Sequence, residues 1–128
     1  MNARSSPLKV LVVDDDPGVA GLVSRWLSGG GCSVKSAGSA EEGISIADAE
    51  RMDLILTDLC LPGINGFAAI SALKGEHGVP VLVMTGHSDE GFREDAVCFG
   101  ALDLIEKPLE HDKLMDIVHC VSSLARSR

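Results

Sequence analysis

Five polar side chains in this sequence stand where short apolar runs end, and their types suit one another. Asp14 and Asp15 follow the run Leu8 to Val13, and Asp58 closes a run that begins at Leu54. Thr85 ends Val81-Leu82-Val83-Met84, and Lys107 follows Ala101 to Ile105 and Glu106. Three carboxylates brought together repel, which pushes at least one toward protonation unless a cation joins them. Mg²⁺ (or Mn²⁺) meets that need: it is held by few carboxylates and keeps places for water and phosphate oxygens. The Lys107 ammonium is a compact charge suited to a phosphoryl oxygen, and the Thr85 hydroxyl can donate to another. A carboxylate so surrounded can act as a phosphoryl acceptor.

That chemistry requires the five groups to converge, so the elements that carry them matter. The apolar runs are short and rich in Val, Ile and Leu, as expected of buried strands. Each is followed by a helical pattern. Asp16 is expected to cap a first helix with Pro17 at its first position. Val19, Leu22, Val23, Trp26 and Leu27 then form one apolar face, stopped at Gly29-Gly30-Gly31. Cys32 to Ala37 reads as a short strand near a sheet edge. Ser39-Ala40-Glu41-Glu42 is a capping box opening a second helix to about Glu50. The stretch from Met52 to Gly66 holds the third strand and breaks at Pro62-Gly63. Asn65 is expected to cap a third helix carrying Phe67, Ile70 and Leu73, ended by Gly75 and Gly78. Ser88 is expected to cap a fourth helix with Phe92, Ala96 and Phe99 on one face and Gly100 at its close. Ala101 to Ile105 is a fifth strand. The last helix shows a stripe of Leu114, Ile117, Val118, Val121 and Leu124. Five alternations with short loops predict a parallel sheet covered on both faces. In such sheets ligands bind beyond the carboxyl ends of the strands, where these five residues fall.

Composition narrows the function classes. The chain has 128 residues, 45% of them hydrophobic and 3% aromatic, with no Tyr. It suits a single domain over 1–128, with a core from about 8 to 124 and an aliphatic interior. The formal net charge of -8 argues against direct nucleic-acid binding and against docking on anionic membranes. Cys32, Cys60, Cys98 and Cys120 form no CxxC pair, so no zinc site is expected. No signal peptide and no apolar segment of membrane-spanning length is visible, and a cytoplasmic protein with reduced thiols is expected.

Four pieces, VLVVDDDP, LILTDLCLPGINGF, VLVMTGH and GALDLIEKP, carry a specific likeness in this order and spacing. Together they resemble the receiver domain of bacterial two-component response regulators, over about Leu8 to Leu124. The resemblance implies a flavodoxin-like (βα)5 fold with strand order 2-1-3-4-5. It implies that Asp58 accepts a phosphoryl group from a sensor histidine kinase or phosphotransfer protein. Asp15 would bind Mg²⁺ directly, Asp14 would hold it through water or assist, and the backbone carbonyl of Cys60 would be a further ligand beside Asp58. Thr85, with Gly86 after it, and Lys107 would bind the phosphoryl oxygens, and the Lys107–Pro108 bond would be cis. Asp16 matches no site position of the family and is kept as a helix cap.

One departure stands out. The family usually places Tyr or Phe three residues before the lysine, and Leu104 occupies that position here. Leu104 can repack but cannot swing as an aromatic switch does. Activation is then expected to move the loop 86–91 and the fourth helix. The output face would be the fourth helix, fifth strand and last helix, including Phe92, Phe99 and Leu114 where exposed. It would meet a downstream partner, the protein's own output domain, or a second copy in a homodimer.

Two other readings stay open on the sequence. Asp14-x-Asp16 at a strand end also resembles the haloacid-dehalogenase phosphatase motif, with Asp14 as nucleophile and Asp16 as acid. No acidic pair or substrate cap is found to complete it. A receiver-like binding module that is never phosphorylated would keep the fold without the chemistry. Beyond self-catalysed phosphotransfer and autodephosphorylation, no enzymatic activity is expected.

Overall fold

A computed structural model describes residues 7–86, 89 and 91–126. Strands β1 (Lys9–Val13), β2 (Ser33–Ala37), β3 (Leu54–Asp58), β4 (Val81–Thr85) and β5 (Asp103–Glu106) alternate with five helices. These are α1 (Pro17–Gly29), α2 (Ala40–Ala49), α3 (Gly66–Lys74), α4 (Phe92–Cys98) and α5 (His111–Arg126). The strands form one sheet in the order β2-β1-β3-β4-β5, and every pairing is parallel. This is the doubly wound order that the resemblance implied. In register Val13 lies opposite Ala37 and Thr57, Asp58 opposite Met84, and Thr85 opposite Glu106. The carboxyl ends are thus nearly level, which is what brings distant residues of the chain to one edge.

Strand residues alternate between two cores, as the two-residue period of a strand requires. Leu11, Val13, Ile55, Val81, Val83 and Leu104 pack with Ala69, Ile70 and Leu73 of α3 and Ala96 of α4. Val10, Val12, Leu54, Leu56, Leu82, Met84 and Ile105 pack with Val23 and Leu27 of α1 and with Leu114, Met115, Val118 and Val121 of α5. Helices α2, α3 and α4 therefore cover one face, and α1 and α5 the other. The aromatic residues sit at seams between helices. Phe67 meets Phe92 edge-on at 5.8 Å and Phe99 at 5.7 Å, joining α3 to α4. Trp26 of α1 meets His111 of α5 edge-on at 5.4 Å.

Three helix caps fall where expected. The Asp16 carboxylate accepts from Gly18 N–H, Asn65 accepts from Phe67 N–H, and Ser39 Oγ accepts from Glu42 N–H. The return half of the capping box shifts by one residue: Glu42 accepts from Gly38 N–H rather than from Ser39. Helix α4 differs from its expectation. Ser88 lies outside the described residues, and the helix begins at Phe92 behind Gly91, with no side-chain cap bond.

Several other expectations need correction. Strand β5 starts at Asp103, two residues later than read from the apolar run, because Leu102 N–H already bonds Val81 O while its side chain faces outward. Leu22 and Leu124, placed on apolar stripes, are exposed, since each lies at the margin of its stripe. Phe99 follows the last turn of α4 and is about half exposed despite its contact with Phe67. Leu114 does not belong to an exposed face: it is fully buried under α5. Among the described residues no helix is long and apolar enough to cross a membrane.

Candidate functional site

The site is assembled at the carboxyl edge from the ends of β1, β3, β4 and β5. Asp14 leaves β1 with its N–H on Ala37 O, so the side chain is fixed at the strand end. Its Oδ1 accepts from Asp16 N–H at 2.9 Å, and its Oδ2 faces Lys107 Nζ at 2.9 Å. Asp58 closes β3. Its Oδ1 accepts from Cys60 N–H at 3.0 Å, and its Oδ2 faces the same Lys107 Nζ at 3.0 Å. One ammonium thus bridges two buried carboxylates contributed by different strands. Asp14 is 2% exposed and Asp58 is 7% exposed, whereas Asp15 lies open at the rim.

Lys107 is aimed by backbone contacts. Its N–H bonds Thr85 O at 2.7 Å, which ties the chain after β5 to the end of β4. The Lys107–Pro108 bond is cis, as the resemblance implied. Burial is the largest influence on the ammonium and by itself would lower its pKa. The hydrogen bonds and charges of Asp14 and Asp58 together outweigh it, so Lys107 titrates above its ordinary value of 10.5.

Asp14, Asp15 and Asp58 each bring a carboxylate oxygen to within 4.8 Å of the others. Three hard oxygen donors at that spacing fit a divalent cation of the magnesium class, which shares its shell with water. Their charge exceeds what Lys107 supplies, so the donor set favours a second positive charge. Thr85 is fully buried at the end of β4, and Gly86 after it is exposed. Leu104 is different: its side chain is 1% exposed and belongs to the core beneath α3 and α4 rather than to the site. Asp16 stays on its helix cap, which removes the acid that a haloacid-dehalogenase arrangement would need.

Sequence reasoning passed over two contributors. Gly66 opens α3, and a Cβ there would meet Leu59 O at 1.8 Å. Only glycine lets α3 approach the chain leaving Asp58 so closely. Its signal was a glycine at a first helical position, directly after a cap. Arg93 is the other: it donates to Leu104 O at 3.1 Å and pairs with Asp103. It carried no local signal.

Comparison with known proteins agrees with this fold. A family model described as the response regulator receiver domain matches residues 10–119. The nitrogen assimilation regulatory protein NtrX of Azorhizobium caulinodans is 34% identical over 122 residues, covering 93% of this chain and 27% of that protein. The DNA-binding response regulator MtrA of Mycolicibacterium smegmatis is 33% identical, covering 84% of this chain and 47% of that protein. The chain thus spans between about a quarter and a half of the length of these relatives. Among solved structures, a CheY-like response regulator receiver domain protein from Methanospirillum hungatei superposes with a TM-score of 0.86 at 26% identity. That match covers 96% of this chain and all of the other. The chemotaxis protein CheY4 of Vibrio cholerae gives a TM-score of 0.83 at 26% identity, covering 91% of this chain and 99% of that one.

Proposed function

The chain belongs to the response regulator receiver domain family of two-component signalling, and on that premise we propose that Asp58 is the residue that takes the phosphoryl group. The observation that carries this is the Lys107 ammonium held between the buried carboxylates of Asp14 and Asp58. Asp58 closes its strand with one oxygen oriented by Cys60 N–H and the other by the ammonium. A carboxylate so oriented attacks in line without first having to find its rotamer.

The donor is a phosphohistidine on a sensor histidine kinase or a phosphotransfer protein. An Asp58 oxygen forms the new P–O bond, the donor's P–N bond breaks, and the imidazole nitrogen keeps the electron pair and takes up a proton. Asp15, Asp14, Asp58 and the backbone carbonyl of Cys60 would hold Mg²⁺, or Mn²⁺ in its place. The ion supplies charge for the phosphoryl oxygens in transfer. Lys107 then exchanges part of its contact with Asp58 for a phosphoryl oxygen, and the Thr85 hydroxyl and Gly86 meet another. The chain works as a signalling domain rather than as an enzyme on an external substrate.

Output passes through the face formed by α4, β5 and α5. A cleft of about 430 Å³ lies there, lined by residues that include Arg93, Leu104, Lys107, Leu109 and Lys113. The occupant is a downstream partner, an output domain of the same protein, or a second copy. The domain itself does not bind nucleic acid or membrane, in keeping with its charge of -8.

The test is direct. Acetyl phosphate or a phosphorylated histidine kinase, with Mg²⁺, should add one phosphoryl group to the native chain and none to Asp58→Asn. Equal labelling of the Asn variant would move the acceptor elsewhere. Labelling of neither chain by any donor would favour a module that binds partners without being phosphorylated.

A further inference from the structure

The free edge of β5 is closed by a helix side chain. Among the described residues strand β5 is outermost and pairs only with β4. Its residue Leu104 turns both backbone polar groups away from the sheet. The N–H donates to Asp103 Oδ1 at 2.7 Å, and the C=O accepts from Arg93 Nη2 at 3.1 Å. Arg93 Nη1 also lies 3.0 Å from the same Asp103 Oδ1. One carboxylate oxygen and one guanidinium therefore satisfy the middle of an edge that would otherwise offer open pairing groups.

Helix α4, which supplies Arg93, is the shortest of the described helices. It has seven residues, and it starts behind Gly91, whose φ is 90°, with no side-chain cap bond among the described residues. Helices α1, α2 and α3 all have one. A helix this short has little stability of its own. Buried Ala96, the edge-on contact of Phe92 with Phe67 and the Arg93 bonds to β5 hold it. Leu104, meanwhile, is packed in the core and has no ring to swing.

Resting on the reading of Asp58 above, we propose that Arg93 and Asp103 form a latch that holds α4 on β5 in the resting form and opens when the phosphorylated form is adopted. The phosphoryl group recruits Thr85, whose register partner on β5 is Glu106, two residues beyond Leu104. The segment after Thr85 leads directly into α4. A shift of α4 along β5 lengthens and bends both Arg93 bonds, and such bonds weaken steeply with distance and angle. Opening frees the Leu104 carbonyl and widens the cleft that Arg93 lines.

A contact that stabilises only the resting form must weaken the apparent binding of any ligand that selects the active form. The Arg93 and Asp103 side chains are 62% and 39% exposed, so the latch is a modest one. Its removal should tighten binding roughly two- to fivefold, the range of an exposed ion pair.

The test uses the whole chain with Mg²⁺ and beryllofluoride, and amide hydrogen exchange on the free protein. Arg93→Met keeps the side-chain stem and removes the donors; Asp103→Asn removes the charge. Each should bind beryllofluoride more tightly, and the double variant should gain little over either single one. Exchange across residues 92–98 should quicken while α1 and α3 stay unchanged. Faster exchange with unaltered beryllofluoride affinity would reduce Arg93 to a structural brace and overturn the proposal. Unaltered exchange would overturn it too. A native chain that fails to bind beryllofluoride would instead remove the Asp58 reading, and the switching role with it.

Discussion

The β1–β3 end of the site lies at the carboxyl edge and the α4–β5 flank along the outer strand; both are polar, yet they are held differently. At the first, buried carboxylates meet one ammonium at 2.9 and 3.0 Å, and the helices that follow start on the Asp16 and Asn65 caps. At the second, a largely exposed guanidinium reaches a strand edge from a seven-residue helix without a cap bond. The first arrangement is over-determined: removing one bond leaves others in place. The second has few contacts and low cost of opening, as elements that move in switching must. Rigid chemistry beside a loosely tied reporter is what the contrast teaches.

The sharpest way to break the first region is Gly66→Ala. The added methyl would lie 1.8 Å from Leu59 O, so the backbone after Asp58 must shift. We expect a loss of about 3 kcal/mol in chemical unfolding, at the upper end of overpacking effects, together with slower phosphorylation. Stability within a few tenths of native would mean that this approach is softer than its geometry.

A finer test separates neighbours. Asp15→Asn should weaken Mg²⁺ strongly in titration while leaving the unfolding midpoint nearly in place. Asp16→Ala should do the opposite, costing about 0.5–2 kcal/mol as a lost cap with Mg²⁺ affinity little changed. The reverse ranking would exchange their roles.

The smallest effect concerns pH. Lys107 titrates higher in the folded chain than in the unfolded one. Its ion pairs therefore contribute fully below the unfolded value of about 10.4, and the contribution is lost as pH rises through the higher folded value. Native protein should lose stability at that alkaline end more steeply than Lys107→Met, and the two should run parallel near neutrality. Parallel curves throughout would mean that the bridge contributes nothing net. Since the Arg93 pair is far more exposed, Arg93→Met should scarcely alter the profile.

The same contrast decides what could be read from sequence. The caps at Asp16, Ser39 and Asn65 act over two or three residues, so residue order alone exposes them. Lys107 and Asp14 are 93 positions apart, yet they were legible because parallel strands end at one edge. The buried runs of β3 and β4 were equally plain. Strand β5 was displaced by two residues because Leu102 is apolar but faces solvent. The start of α4 was misplaced because Gly91 replaces a side-chain cap. The Arg93 contact depends on how a short helix lies across a strand edge, and no periodicity encodes that angle. Gly66 was visible as a residue, but its need arises from Leu59 O, a backbone atom whose position only the fold supplies.

The edge-on pair of Trp26 and His111 has an optical consequence. The chain contains one tryptophan and no tyrosine, so its intrinsic emission comes from a single ring. That ring sits at the seam of α1 and α5, on the opposite face of the sheet from α4. A fluorescence trace of this protein is therefore a gauge of one seam and is deaf to the helix that carries Arg93. A dye attached at Val97, half exposed on α4, would give the second channel, and the two colours together would separate loss of the fold from movement of the switch.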